Sequence, residues 1–181
     1  EAARDIMMVQ HNRIRDMQEA WHILPNEIAL DSLLAKGSNG EVWRGRLYRH
    51  SESDSIVVAI KKIRRKGMST IELFNEDNED DAEWIEDEAK FMMCLRHERL
   101  VRFIGAGIID GHRFIVEELM TGLSIERKLW DTPPNSLTLH TKLIWARDVA
   151  TGMAFIHERK FLHRDLKSPN ILYSIRTGRA K

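Results

Sequence analysis

Five short runs of β character come before any long helical run, and that order constrains the fold more than any other feature of the chain. "EIALDSLLAK" and "EVWRGRLY" flank the turn-forming "GSNG", and "SIVVAIKKI" follows, rich in Val and Ile. "RLVRFIGAGIID" and "HRFIVEEL" form a further pair around "DGH". Between the third and fourth runs, Ile85, Ala89 and Met92 recur at helical spacing behind the acidic stretch 76–88. After "TG" at 121–122, "SIERKLW" is a short helix with Ser124 as its N-cap. Pro133 and Pro134 forbid helix in "DTPPNS". From Thr138 to about Glu158, Leu143, Ala146, Ala150, Met153 and His157 form one stripe of a long helix. A sheet followed by a helical layer is an α+β arrangement.

Composition excludes several classes. Lys plus Arg (28) balances Asp plus Glu (28), so nothing draws the chain as a whole to nucleic acid. The longest apolar runs, such as "FIGAGII", are too short to span a bilayer. Cys94 is the only cysteine, which rules out an internal disulfide and is consistent with a reducing, cytoplasmic setting, in a free protein or the cytoplasmic part of a larger, membrane-attached one. Residues 1–24 read as a flanking helix or linker. The basic run 61–66 and the acidic run 76–88 read as solvated surface, and the segment 65–87 is a possible dock for a regulatory partner.

Three short motifs carry chemistry. In "AKGSNGEV" (35–42), glycines between two strands let backbone N–H groups approach phosphate oxygens, although an ordinary hairpin has the same pattern. In "VAIK", Lys61 ends an apolar strand, either extending its ammonium into water or aiming it at a phosphate with Glu88 as its partner. "HRDLKSPN" gathers a base or metal ligand (Asp165), a phosphate neutraliser (Lys167) and an uncharged oxygen donor suited to magnesium (Asn170). There is no Gly-x-Ser-x-Gly elbow for a Ser-His-Asp hydrolase, and no pair of histidines flanks a Glu at zinc-binding spacing.

Taken in order, "KGSNGEV", "VAIK", Glu88 followed by "LRHERLV", and "HRDLKSPNIL" resemble the eukaryotic protein kinase domain over residues 26–181. "GEVWRG" with "HRDLKSPN" looks most like the tyrosine-kinase-like group of Ser/Thr kinases, the neighbourhood of Raf and mixed-lineage kinases. The resemblance implies a two-lobe fold, with a small β-rich lobe over 25–120 and part of a helical lobe over 121–181. It implies ATP and Mg2+ as cofactors and protein substrates as partners. By similarity, Ala35, Gly37 and Gly40 lie over the phosphates, Val42, Ala59 and Leu172 enclose adenine, and the hinge runs from Glu118 to Met120. Lys61 would contact the α- and β-phosphates and pair with Glu88. Asp165 would orient the substrate hydroxyl and accept its proton, Lys167 would meet the γ-phosphate, and Asn170 would hold magnesium.

The pattern departs from the family in places. Ala35 stands where the first loop glycine is usual, Asn39 where an aromatic is usual, and Glu117 occupies the gatekeeper position. These favour a second expectation, a pseudokinase that binds nucleotide as a scaffold. Lys167 favours Ser/Thr over tyrosine or dual specificity. The resemblance also implies that an Asp-Phe-Gly motif follows Lys181, so the chain as given is expected to be an inactive, aggregation-prone fragment.

Overall fold

The computed structural model describes residues 21–37, 40–49, 54–63, 89, 91–109 and 111–181. They fall into two compact units. One is drawn from Glu1–Cys94 and Phe103–Glu117; the other comprises Leu95–Arg102 and Glu118–Lys181.

The first unit is a five-stranded sheet. Its strands are β1 (Ile28–Gly37), β2 (Gly40–Tyr48), β3 (Ser55–Ile63), β4 (Phe103–Ile109) and β5 (His112–Glu118), in the order β1-β2-β3-β5-β4. The pairs β1–β2, β2–β3 and β4–β5 are antiparallel. Strand alternation sorts the side chains. Val58 and Ile60 are fully buried on one face, with Leu47, Phe114 and Val116. Ala59 and Lys61 must therefore lie on the other face. Ile63, also on that face, packs with Ala89, Ala106 and Ile115 in a second cluster.

The turn between β1 and β2 depends on glycine. Gly40 has φ of 139°, and a Cβ there would overlap the carbonyl oxygen of Lys62. The residues assigned from sequence to the flank reach into this unit: Trp21 and Ile23 are buried, and Ile23 N–H donates to the Ala106 carbonyl at 2.9 Å. Residues 1–20 and the acidic segment 65–87 lie outside the described residues.

The second unit is built on α1 (Ile125–Asp131) and α2 (Leu139–Glu158). Ser124 caps α1 by accepting the Arg127 N–H at 3.2 Å, and Thr138 caps α2 by accepting the Thr141 N–H at 3.2 Å. The long helix matches the expectation, but its buried face does not. Trp145, Asp148, Gly152 and Ile156 are buried, whereas Leu143, Ala146, Ala150 and His157 are exposed. A hydrophobic pattern passes over a face that carries an aspartate and a glycine. Here both are needed. A Cβ on Gly152 would come within 2.8 Å of the Arg99 carbonyl oxygen, so glycine admits the backbone of that segment against the helix. One turn earlier, Asp148 accepts Arg179 Nε at 2.7 Å and Ala180 N–H at 3.1 Å, and lies 3.4 Å from Arg99 Nε.

Arg179 and Ala180 belong to a closing hairpin. Tyr173 pairs antiparallel with Ala180, and Gly178 turns the chain at φ of 65°. Trp145 Nε1 donates to the Gly178 carbonyl at 2.9 Å, and Ala180 is wholly buried beside Trp145 and Ile125. Among the described residues, no helix is long and apolar enough to cross a membrane.

Two outcomes are expected. Ile60→Ala should destabilise the first unit by about 2–5 kcal/mol, while the adjacent Lys61→Ala should change stability by less than about 0.5 kcal/mol. Equal shifts in urea midpoint would contradict the face assignment. The second concerns Asp148. Burial alone would raise its pKa, but the Arg179 hydrogen bonds, the Ala180 N–H and the charges of Arg99 and Arg179 outweigh burial and hold it below the usual range. A lowered folded pKa contributes stability that is present above the unfolded value of about 3.9 and lost as the pH falls through the folded value. Melting temperatures should therefore drop on acidification below about pH 4, and Asp148→Asn should be less stable at neutral pH with a shallower acid limb.

Candidate functional site

The sheet brings four of the expected nucleotide residues into register. Ala35 pairs with Val42 across β1–β2, and Val42 pairs with Lys61 across β2–β3. Directly opposed residues share a face, so these three form a row, with Ala59 two residues along β3 from Lys61 on the same face. Gly37 pairs with Gly40 at the tip of the β1–β2 hairpin, and Lys61 is exposed. Ser38, Asn39 and Glu88 lie outside the described residues, so the expected Lys61–Glu88 pair cannot be described; Ala89, the next residue, packs on the face that Lys61 shares.

In the second unit, "HRDLKSPN" is an ordered loop that closes on itself. Asn170 Nδ2 donates to both the carbonyl and Oδ2 of Asp165, each at 2.8 Å. Lys167 Nζ lies 2.8 Å from Asp165 Oδ1. Asp165 N–H donates to the His163 carbonyl at 2.8 Å and faces His163 Nδ1 at 3.3 Å. Arg164 has φ of 59°, a left-handed conformation uncommon for a long side chain. Pro169 lies in a short 3-10 turn, Ser168–Asn170, which aims Asn170 back at Asp165. Ser168 Oγ donates to Glu126 Oε1 of α1 at 3.4 Å, and Ile125 N–H donates to the Ile171 carbonyl at 2.8 Å. The loop is thus tied to a helix.

Asp165 is held ionised. The hydrogen bonds from Lys167 and then Asn170 lower its pKa; desolvation opposes them, and the charges of Lys167 and His163 add smaller lowering effects. An exposed pair of this kind contributes little to stability, so its effect is to orient the carboxylate. Leu172, half-buried, exchanges two 2.9 Å hydrogen bonds with Lys181. Glu118 Oε1 accepts Arg102 N–H at 2.8 Å and pairs with Lys181 Nζ, so its side chain is committed within this unit. Met120 is half-buried two residues on.

The profile described as protein tyrosine and serine/threonine kinase matches residues 28–179. The chain belongs to the protein kinase family. This kinase sequence is 32% identical over 155 residues to the RasGEF domain-containing serine/threonine-protein kinase X of Dictyostelium discoideum, covering 86% of this chain and 14% of that protein. It is 33% identical over 156 residues to the probable serine/threonine-protein kinase PBL17 of Arabidopsis thaliana, covering 85% and 33%. It is also 33% identical over 155 residues to the tyrosine-protein kinase Fgr of Rattus norvegicus, covering 86% and 26%. The matched part of this kinase is therefore at most about a third of these relatives' length. The five-stranded sheet with few helices is the small N-terminal lobe of the kinase fold.

Sequence reasoning placed Asp165, Lys167 and Asn170 in one cluster, and the structure brings them within hydrogen-bonding distance of one another. It passed over the supports of that cluster. Glu126 lay inside an ordinary helical run, and Asp148 lies off the apolar stripe expected for its helix. The signal for Asp148 was its four-residue spacing from Gly152, which puts a charge beside a close-approach point on one helix face.

The Asp165 carboxylate should titrate below the ordinary aspartate range. Lys167→Met removes the largest cause of that shift, so its midpoint should rise toward the ordinary value. Carboxyl 13C NMR on the two proteins checks this, and coincident titrations would mean that the ion pair does not form in solution.

Proposed function

We propose that this chain carries the ATP-binding and phosphoryl-transfer residues of a Ser/Thr protein kinase. The observation that supports it best is the convergence of Asp165, Lys167 and Asn170 on one ordered loop. Phosphoryl transfer asks for positioning and charge neutralisation more than covalent chemistry, and this set suits that demand.

On this reading the row Ala35–Val42–Lys61 with Ala59 receives the nucleotide, with Val42 and Ala59 against the base and Lys61 offering its ammonium to the phosphates. Gly37 and Gly40 keep the hairpin tip free of side chains where phosphate oxygens approach. Glu118, Met120 and Leu172 provide the hinge and floor for adenine. Asp165 orients the substrate hydroxyl. Its lowered pKa makes it a weak base, so it positions the hydroxyl first and takes the proton as the oxygen begins to bond to phosphorus. Lys167, now on Asp165, is close enough to that carboxylate to serve the γ-phosphate as well.

A hard cation fits the donors present. Asn170 has committed Nδ2 to Asp165, so its amide oxygen is the atom to offer magnesium, which takes its other oxygens from phosphate and water. When bound, the ion would neutralise phosphate charge. An exposed free thiol at Cys94 agrees with a cytoplasmic setting.

Tyrosine specificity is the second reading, favoured by the 33% identity to Fgr. Nucleotide binding without transfer, the pseudokinase outcome, is favoured by Ala35 and Glu117. Radiolabelled ATP with Ser/Thr and Tyr peptide libraries, using the full-length gene product, separates the three. The first reading expects Ser/Thr labelling that falls by about 10²- to 10⁴-fold in Asp165→Asn. Lys61→Ala should fall by a comparable factor, near 10²-fold, from loss of one preorganised charge. Labelling that survives Asp165→Asn unchanged would overturn the assignment.

A further inference from the structure

Asp148 is the one fully buried charge among the described residues, with about 1% of its surface exposed, and none of the chemistry above uses it. Its partners come from two separate stretches of chain. Arg99 reaches it from the segment before β4, with a side chain only 13% exposed. Arg179 and the Ala180 N–H reach it from the closing hairpin. The next residue along that strand is Lys181. Its main chain makes both hydrogen bonds to Leu172, and its ammonium pairs with Glu118. Glu118 is also held by its neighbour across the turn, donating its own N–H to the Arg102 carbonyl at 2.9 Å. Two residues assigned to the adenine site therefore rest on one strand, and that strand rests on one carboxylate.

We propose that Asp148 is a positioning residue for the nucleotide: by gripping Arg179 and Ala180 it fixes strand 179–181, and through Lys181 it sets where Leu172 and Glu118 stand. The inference rests on the ATP-binding reading above. A buried carboxylate tolerates little displacement, because a partner that drifts leaves it unpaired in a low-dielectric interior. The Arg179 guanidinium and the Ala180 amide converging on it therefore restrain the hairpin more tightly than a surface pair could. Removing the charge reverses the effect. In Asp148→Asn, Arg99 and Arg179 lose the buried anion they share, and only the exposed Glu98, 3.4 Å from Arg99, remains beside them. Arg179, a third exposed, has water to turn to, and the strand that carries it loosens.

The test uses the full-length gene product and three variants: Asp148→Asn, Arg179→Ala and Arg99→Gln. Affinity for a fluorescent ATP analogue, kcat and KM for ATP, melting temperature, and hydrogen exchange at the Leu172 and Lys181 amides are measured for each. Positioning predicts that Asp148→Asn and Arg179→Ala weaken nucleotide binding and raise KM by about tenfold and threefold, with kcat moving less than either. Faster exchange at Leu172 and Lys181 should accompany both. Arg99→Gln leaves the hairpin's own ties in place, so it should lower the melting temperature without moving nucleotide affinity. Arg179→Ala guards against a misfolded Asp148→Asn, because its side chain is partly exposed. If Arg179→Ala accelerates exchange but leaves affinity and KM unchanged, the ion cluster is structural only and the inference falls while the kinase reading stands. If the unaltered protein binds no ATP analogue, the nucleotide reading itself is overturned and this inference with it.

Discussion

A single buried carboxylate holds the second unit together. Asp148 sits on a helix face that would otherwise be apolar, between Trp145 and Ile156. Taking it out of water is costly, and only well-formed charge-assisted hydrogen bonds offset that cost. Both Asp148 oxygens are engaged, by two arginines and a main-chain N–H. The consequence is geometric as much as energetic. The segment 95–102, the helix Leu139–Glu158 and the hairpin after Asn170 cannot pack independently, because each contributes to the same pair of oxygens. Around this centre the neighbouring contacts follow. Gly152 admits the Arg99 backbone, His97 stacks on Phe155 with centroids 4.6 Å apart, and Arg159 covers the same ring at 3.5 Å.

Asp165 is the opposite kind of carboxylate. It is exposed, its partners are on its own loop, and its removal would leave no buried charge behind. Both aspartates have lowered pKa values, yet for different reasons: Asp148 because its partners overcome burial, Asp165 because Lys167 and Asn170 act with little burial to overcome. The backbone before Asp165 also differs from ordinary structure. Arg164 in the left-handed region costs on the order of 1 kcal/mol, which the surrounding hydrogen bonds must offset. On the proposed function, strain kept at this point suits a side chain that is presented rather than packed.

How much of this the sequence disclosed depends on the physics behind each element. Strands were legible because alternation is local: "SIVVAIKKI" marks β3 at its observed bounds, Ser55–Ile63, and the glycine turns mark its neighbours. The loop "HRDLKSPN" was legible because its partners are within seven residues of one another. The helix cap at Ser124 follows the same rule. The buried face of the long helix was not legible, because hydrophobic periodicity assigns Asp148 to solvent. Its compensation comes from residues 49 positions earlier and 31 later, and no local pattern carries that pairing. Trp21 and Ile23 were misread for a related reason. Pro25 looks like a boundary, but the chain before it returns to the core by bonding to Ala106, far away in sequence.

The two units therefore place the expected site residues by different means. In the sheet, the hydrophobic demand on Val58 and Ile60 determines that Lys61 points away from their core, since a slip of one residue would bury the ammonium and expose two aliphatic chains. The position of Lys61 is a by-product of alternation and needs no dedicated contact. In the second unit no such periodicity governs Leu172 or Glu118. Their places follow from hydrogen bonds that trace back, residue by residue, to a charge on a helix. A register set by apolar burial is indifferent to charge, whereas one set by a buried ion pair fails when either ion is lost. Leu172 and Glu118 should for that reason be the more sensitive to distant substitutions, and Lys61 the more robust.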